Sequence, residues 1–383
     1  MPLTHPHQAA TIPRIGYDAS FIFGKGGIER YSREIVRGMA LRRDVDLALI
    51  CRTKHKANVD ELVGEGHGTR LDGYPHDLAL GSHFKGVTKL VQHRWWRKLA
   101  AESTLVHLTG HHWMPPLLAP YVTTIHDVFP ITMPNLLDKR DRHRVREVMM
   151  QQLHTAAAIV VPSAYTANTI VELVSDAKPR ITVTPLAAGP EFMPPLTVQE
   201  QPTFLWYGRA DDRKNVPRML GAYSRLPLEV RRRVSFTVAM GGMARLRAEF
   251  AEQHAALLAV EGVRFIEALS FSALISTMQH CYALLFCSTE EGFGLPVIEA
   301  MQCGCPVLTS NTTSLPEVGG DAVLYASPYD EEEMSHQMER LAIDETLRAD
   351  LRQRGVDRAQ GFSWQRTVDA TATVYHNVIT AAC

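Results

Sequence analysis

Leu284–Ser310, which reads LLFCSTEEGFGLPVIEAMQCGCPVLTS, is the stretch on which the fold turns. It continues a short apolar run, Ala283–Phe286, of the kind that forms a strand buried on both faces. A polar turn, Ser288-Thr289-Glu290-Glu291, leads into Gly292-Phe293-Gly294. Pro296 suits the first position of a helix, where its missing N–H costs nothing. That helix is expected over Val297–Cys303, with Gly304 as its stop, and Pro306–Leu308 begins the next strand. Strand, glycine loop, helix and strand in this order predict a parallel α/β unit. Its loop lies at the carboxyl end of the strand, where open parallel sheets bind ligands. Free N–H groups at a helix start favour negative charge, and glycines let a ligand approach the backbone. Glu291 and Glu299 flank the loop and can face one cleft. A site for phosphate alone has little use for two acids, whereas a sugar or ribose would use both. The alternative is purely structural, since acids near a helix start are stabilised by its dipole without any ligand.

The run Glu291-Gly-Phe-Gly-Leu-Pro-Val-Ile-Glu299 resembles the acid-x7-acid motif of the retaining GT-B glycosyltransferases of family 4. The neighbouring Glu-Ala-Met, Cys-Gly and Pro-Val also stand where that family has them. The resemblance implies an α/β fold of the GT-B kind: two Rossmann-like domains facing a central cleft, with a C-terminal helix returning to the first domain. It further implies that Glu299 holds ribose hydroxyls, while Glu291 and the backbone of Phe293, Gly294 and Leu295 orient the sugar.

At 383 residues the chain is long enough for two domains with cores of their own. A composition of 45% hydrophobic and 21% charged residues is that of a globular protein, and a net charge of -1 argues against nucleic acid as the main partner. Lys and Arg outnumber Asp and Glu over residues 1–190, and the reverse holds beyond. The first half is therefore the better candidate to approach an anionic surface or acceptor. Six cysteines at this length do not make a disulfide framework, and Cys303 and Cys305 read as small buried residues. The start MPLTHPHQAATIP lacks the features of a signal peptide, and no apolar run reaches membrane-spanning length. A cytoplasmic location is expected.

Arg14–Ser20 reads as a first strand, leading through Phe21–Gly27 into a helix with Ile28, Tyr31, Ile35 and Met39 on one stripe. The loop lacks Gly-x-Gly-x-x-Gly, and the next strand, Val45–Cys51, is followed by no convincing ribose acid, so the dinucleotide reading is weak. A tight turn without a ligand is one reading. The family resemblance offers another, in which Gly26 and Gly27 match paired glycines whose backbone touches the donor phosphate or the acceptor. Asp44-Val-Asp46 matches the acid-x-acid metal motif of the other large glycosyltransferase fold, but at the start of a strand it reads as chance. His83–Leu99 mixes Lys and Arg with Trp95 and Trp96, which suits either peripheral contact with an anionic membrane or a basic solvated face.

Strands are expected at Thr104–Thr109 and Tyr121–Ile125. The loop after the first carries His111 and His112, assigned to the acceptor side of the implied cleft. His107 and His111 are spaced i, i+4, but a strand-to-loop context does not put them on one helical face, and no zinc site is expected. His126-Asp127, after the second strand, resembles the family's His-Asp element, in which the histidine reaches the donor sugar. His126 and Glu291 are thereby implied as catalytic; a histidine that merely caps the strand is the alternative. Lys139–Ala157 reads as a helix with a basic start, Ala158–Pro162 as a strand, Ser163 as a helix cap, and Ile181–Thr184 as a further strand.

Gly189–Pro195 is the best linker. It divides the chain into 1–190, joined by a returning helix at 364–383, and a donor-binding domain at 191–363. Alternation restarts at Thr203–Tyr207, and Arg209 and Lys214 follow. A cationic pair beyond a strand end suits a diphosphate. Tyr-Gly-Arg…Arg-Lys-Asn is similar to the family's pattern, which implies that Arg209 and Lys214 bind the donor diphosphate. Asp211 and Asp212 are expected to point away or to pair with Arg213. A strand at Val234–Ala239, a helix over Ala244–Val260 and a strand at Val263–Ile266 come next. Glu267–Ser270, with Leu269, then occupies the place where the family contacts the nucleotide base. In the tail, Trp364, Val368, Thr371, Tyr375 and Val378 share one helical stripe.

The resemblance implies a retaining, metal-independent glycosyltransferase that needs no cofactor. Its favoured mechanism is front-face attack, with the leaving phosphate accepting the proton. Gly-Gly-Ile-Glu-Arg-Tyr with His-Asp-Val-x-Pro looks like the mannosyltransferase branch that builds bacterial surface polysaccharide and lipopolysaccharide. GDP-mannose is the first expected donor, ahead of UDP-sugars, with a saccharide or lipid-linked saccharide as acceptor. A GT-B nucleotide-sugar epimerase and a non-catalytic sugar-nucleotide-binding protein stay open. The first lacks this Arg…Lys-Asn and acid-loop set, and the second has no use for Glu291, Glu299 and His126 together.

Overall fold

The computed structural model describes residues 12–19, 22, 26–52, 62, 70–74, 97, 98, 100–110, 119–136, 139–209, 211–242, 244–267 and 269–382. His111, His112 and nearly all of His83–Leu99 lie outside the described residues.

The described strands form two parallel sheets. The first, of seven strands, comprises β1 (Arg14–Asp18), β2 (Asp46–Arg52), β3 (Arg70–Tyr74), β4 (Leu105–Leu108), β5 (Tyr121–Thr124), β6 (Ala158–Val161) and β7 (Ile181–Val183). Its order is β3-β2-β1-β4-β5-β6-β7. The second, of six, comprises β8 (Gln201–Arg209), β9 (Ser235–Gly241), β10 (Val263–Glu267), β11 (Cys281–Phe286), β12 (Val307–Ser310) and β13 (Leu324–Ala326). Its order is β10-β9-β8-β11-β12-β13. These are two Rossmann-like sheets, and each reverses direction at one place, β1/β4 in the first and β8/β11 in the second. That is where a doubly wound sheet leaves a crevice at its carboxyl edge. Central strands such as β4, β6 and β12 are buried at every residue, because helices cover both faces of the sheet.

The helix Gly27–Ala40 follows β1 and buries Tyr31, Ile35, Val36 and Met39. Against it packs the last helix, Trp364–Ala382, which buries Val368, Thr371, Ala372 and Tyr375. The Tyr375 hydroxyl lies 2.5 Å from His107 Nδ1, and His107 Nε2 lies 2.7 Å from Thr124 Oγ1. Burial, helped by His126, lowers the His107 pKa to about 3, so this histidine is a neutral core residue. Asp44 and Asp46 pair with Arg42 and Arg14. Among the described residues no group of His, Cys, Asp or Glu could hold a metal, and no helix is long and apolar enough to cross a membrane.

The proline-rich stretch between the sheets is not a loose tether. Phe192 is fully buried and meets Phe271 edge-on at 5.6 Å, a burial that contributes roughly 2–3 kcal/mol. Gln302 Nε2 donates to the Gly189 carbonyl at 2.9 Å, and Gln279 Nε2 to that of Met193 at 2.7 Å. Two expectations need correction. The helix expected over Ala244–Val260 is two, Ala244–Gln253 and Ala255–Leu258, with His254 between them in a non-helical conformation. The helix after the glycine loop begins at Leu295, with Pro296 in its first turn, and ends at Gln302.

Candidate active site

The loops that leave β8 and β11 are tied together before any ligand arrives. Beyond β8, Asp212–Lys214 makes one tight turn, capped by Asp211, whose carboxylate accepts from the Arg213 N–H at 3.2 Å. Asn215 closes the turn in the left-handed region (φ 59°). Its buried amide donates to the carbonyls of Cys287 at 2.9 Å and Pro328 at 2.7 Å. The Thr289 N–H donates to the Arg213 carbonyl at 2.8 Å. These bonds hold Lys214 with its ammonium 2.5 Å from Glu291 Oε1 and 5.1 Å from the centre of the Phe286 ring. Arg213 pairs with Asp211 at 2.9 Å and stands 3.7 Å from Glu291 Oε2. Its guanidinium lies 4.6 Å from the centre of the Phe129 ring of the first sheet's domain.

The electrostatics follow from that enclosure. Burial alone would push the Glu291 carboxyl up, yet Lys214 and Arg213 together hold it below the usual range. Burial lowers the Lys214 pKa, and the attraction of Glu291 offsets only part of that. Burial would also lower Arg213, but Glu291, Asp211 and Asp127 outweigh it and raise its pKa. The site thus sets Lys214 and Arg213 against Glu291, with Asp211 sharing Arg213. Either cation that lets go of Glu291 is available to an anionic ligand.

The two glycines of the acid loop do different work. Gly294 caps the Leu295–Gln302 helix with φ +105°, a conformation that side-chain-bearing residues rarely adopt. Gly292 was expected to admit a ligand; instead the protein's own backbone takes the space. A Cβ there would sit 1.9 Å from the His126 carbonyl oxygen. The Gly292 carbonyl accepts from Ser163 Oγ at 2.7 Å and from Thr166 Oγ1 at 3.1 Å. Ser163 also caps the helix Ala164–Leu173, and the Glu317 carboxylate accepts from the N–H of Ala164 at 2.9 Å. The acid loop is therefore seated directly on the first domain, beside the His126-Asp127 turn.

Glu299 lies in the Leu295–Gln302 helix and is 5% exposed. One oxygen accepts from the Tyr207 hydroxyl at 2.5 Å, and the other pairs with Arg30, from the helix that follows β1. The Arg30 guanidinium is 5.0 Å from the ring centre of Phe192 and 5.9 Å from that of Phe271. Gly27 faces Leu295, where an added Cβ would meet Leu295 Cδ1 at 3.2 Å. The two helix starts, one from each domain, thus meet across the interface.

The structure brings Lys214, Glu291, Gly294, Leu295 and Glu299 together with Gly26, Gly27 and His126. The His126 ring packs edge-on against Tyr31 at 4.8 Å. Beside it, burial raises the Asp127 pKa to about 6, against the pull of Arg213. Phe293 is a packing anchor, edge-on to Phe362 at 5.9 Å, and its carbonyl accepts from Ser314 Oγ at 2.9 Å. Leu269 packs, partly buried, against the core. Arg209 stands exposed at the end of β8, its stem against Gly242. Asp211 pairs with Arg213 as expected. Arg30, Arg213 and Asn215 were given no place in the site by sequence reasoning. Each stands inside a motif quoted for another residue, so the signal was present and only the spatial partner was lacking.

Known proteins resemble this chain along nearly its whole length. The model described as Glycosyl transferases group 1 matches residues 191–358, and that described as Glycosyltransferase Family 4 matches residues 25–188. The O-antigen chain mannosyltransferase B of Escherichia coli is 29% identical over 369 residues, 91% of this chain and 95% of that protein. The Escherichia coli serotype-specific mannosyltransferase WbdA is 34% identical over 161 residues, which is 41% of this chain but only 19% of that protein. Among solved structures, the sucrose-phosphate synthase of Thermosynechococcus elongatus superposes with a TM-score of 0.76 at 17% identity, over 96% of this chain and 100% of that one. WaaG, a glycosyltransferase involved in lipopolysaccharide biosynthesis, superposes with a TM-score of 0.70 at 17% identity, over 94% and 98% of the two chains.

Proposed function

We infer the reaction from membership: this chain belongs to the glycosyltransferases, its second half of the group 1 kind and its first half of the family 4 kind, and has the GT-B fold. The reading we propose is transfer of mannose from GDP-mannose to a hydroxyl of a growing surface saccharide, with retention at the anomeric carbon and without a metal. The observation that carries it is the cation pair closed over Glu291. A donor diphosphate would draw the Lys214 ammonium from the carboxylate, while Arg213 stays to compensate Glu291. Arg209, free of the packed turn, would close on the same phosphates from the strand end.

Negative charge grows on the diphosphate as the glycosidic bond breaks, so these cations and the N-terminus of the Leu295–Gln302 helix would stabilise the transition state more than the ground state. Glu299 would receive the ribose hydroxyls, and Leu269 would lie by the base. Glu291 and the backbone at Gly294 and Leu295 would orient the sugar, with His126 reaching it from the first domain. The leaving phosphate oxygen would accept the acceptor's proton on the face it departs from, so no separate base is needed. The first domain would present the acceptor, with 1–190 and the returning helix 364–383 as one unit and 191–363 as the donor unit. The mannose assignment is supported by the Escherichia coli O-antigen mannosyltransferase, which is similar over nearly all of both chains. Work on the cytoplasmic face of a membrane, touching it through the first domain, fits such an acceptor.

The test is a screen of nucleotide sugars by thermal shift, since a ligand bound only by the folded state raises the melting temperature. GDP and GDP-mannose are expected to stabilise the protein and uridine nucleotides to leave it unchanged. Stabilisation by UDP-sugars alone would replace mannose as the donor assignment. An incubation with GDP-mannose and an oligomannose acceptor, read by NMR of the new anomeric proton, then checks retention.

A further inference from the structure

Glu299, the carboxylate assigned to the donor's ribose, is already in use. Its side chain is 6% exposed, with one oxygen on Tyr207 and the other on Arg30. Tyr207 belongs to β8, in the same sheet as the strand before Glu299, so it accompanies the carboxylate wherever the second domain goes. Arg30 does not, for it stands in the first turn of the Gly27–Ala40 helix of the other domain. Its own side chain is 17% exposed. A ribose can place its two hydroxyls on this carboxylate only if that guanidinium lifts.

We propose that Arg30 occupies the Glu299 carboxylate in place of the ribose hydroxyls, a latch that those hydroxyls must displace. The inference rests on the donor-binding reading of Glu299 given above. A buried carboxylate left with the Tyr207 hydroxyl alone is costly, so Glu299 is stable in two states: closed on Arg30, or filled by the hydroxyls of a nucleoside diphosphate. Binding and release of Arg30 are then one exchange. In the closed state the guanidinium also lies over the Phe192 and Phe271 rings. Because Arg30 and Glu299 sit in different domains, the exchange also loosens one tie across the cleft. The Ser163–Gly292 and Glu317–Ala164 contacts are independent of it. Departure of the spent nucleotide would let Arg30 return.

The experiment is titration calorimetry on the full chain with GDP, with UDP and with the 2′,3′-dideoxy form of each, comparing wild type, Arg30→Ala and Arg30→Gln. A latch closed for nine-tenths of the time weakens apparent affinity about tenfold, so both variants are expected to bind the preferred ribonucleotide about tenfold more tightly. The dideoxy forms, which make no call on Glu299, are expected to bind all three proteins alike. The Gln variant keeps the stem over the rings and answers the question if Ala proves unstable. Equal or weaker ribonucleotide binding in both variants would overturn the latch while leaving the donor site standing. Failure of any nucleoside diphosphate to bind wild type or variants would overturn both.

Discussion

Glu291 and Glu299 stand at the two ends of one loop-and-helix unit and are almost equally hidden, at 6% and 5% exposure. Their partners differ in kind. Glu291 is held by Lys214 and Arg213, from a loop of the same sheet, and that loop is fastened to it by Asn215 and Thr289. Both of its cations come from its own domain, although Arg213 also rests on Phe129 of the first. Glu299 shares one oxygen with Tyr207 of its own domain but owes the other to Arg30 across the interface. One end of the unit thus finds its cations within its own domain, and the other only when the domains meet. The lesson is that an acid-x7-acid spacing can hold two sites of unlike conditionality.

That contrast can be broken most forcefully at Lys214. Lys214→Ala is expected to lower sugar transfer by about 100-fold or more, the usual loss when one preorganised charge partner is removed. Arg213, 3.7 Å from Glu291 and paired with Asp211, compensates the buried carboxylate only in part, so the melting temperature should fall as well. Transfer within tenfold of wild type would remove Lys214 from the chemistry. Next in size is Asn215→Ala, which leaves the buried carbonyls of Cys287 and Pro328 unsatisfied and a non-glycine residue at φ 59° without its support. A loss of about 2–4 kcal/mol in urea unfolding is expected. An unchanged midpoint would mean that the Glu291 end is not self-supporting.

Gly292→Ala probes the seat between the domains. The new methyl would fall 1.9 Å from the His126 carbonyl, so loop and turn must part, at a cost of about 1–3 kcal/mol. Transfer should fall further than nucleotide binding, because Lys214 and Arg209, the cations proposed for the phosphates, stay in place. Equal losses in a comparison of kcat and KM would count against that seat. Smallest is a pH effect at Asp127. Its carboxyl titrates near 6 in the folded chain, above its ordinary value, so the folded state holds its proton more tightly than the unfolded state does. Stability from this group is complete below the ordinary aspartate range and is lost as pH rises through about 6. Asp127→Asn should therefore raise the melting temperature more at pH 7.5 than at pH 5. A gain independent of pH would show that charge is not what the substitution removes.

Much of this was legible in the chain. Buried strands announce themselves as apolar runs, and Leu284–Phe286 and Val307–Leu308 required no tertiary information. The glycine loop, its Pro296 and the returning stripe of Val368, Thr371 and Tyr375 were local patterns in the same sense. The family resemblance added which acids and cations to watch. Sequence alone misjudged Gly292, because a glycine that admits a ligand and one that admits a carbonyl from another domain are the same letter. It also passed over Asn215, whose left-handed turn matters only because two carbonyls from separate strands end beside it.

What the sequence determined by itself is the alternation of strand and helix, the α/β class, and the placing of the charged residues at strand ends, since periodicity and turn chemistry act over a few neighbouring residues. What only the tertiary structure decided is who neutralises whom. Arg30 and Glu299, or Ser163 and Gly292, are brought together by two sheets built from segments far apart in the chain. Over such separations, charge and hydrogen-bonding capacity can be read from the chain, but distance cannot.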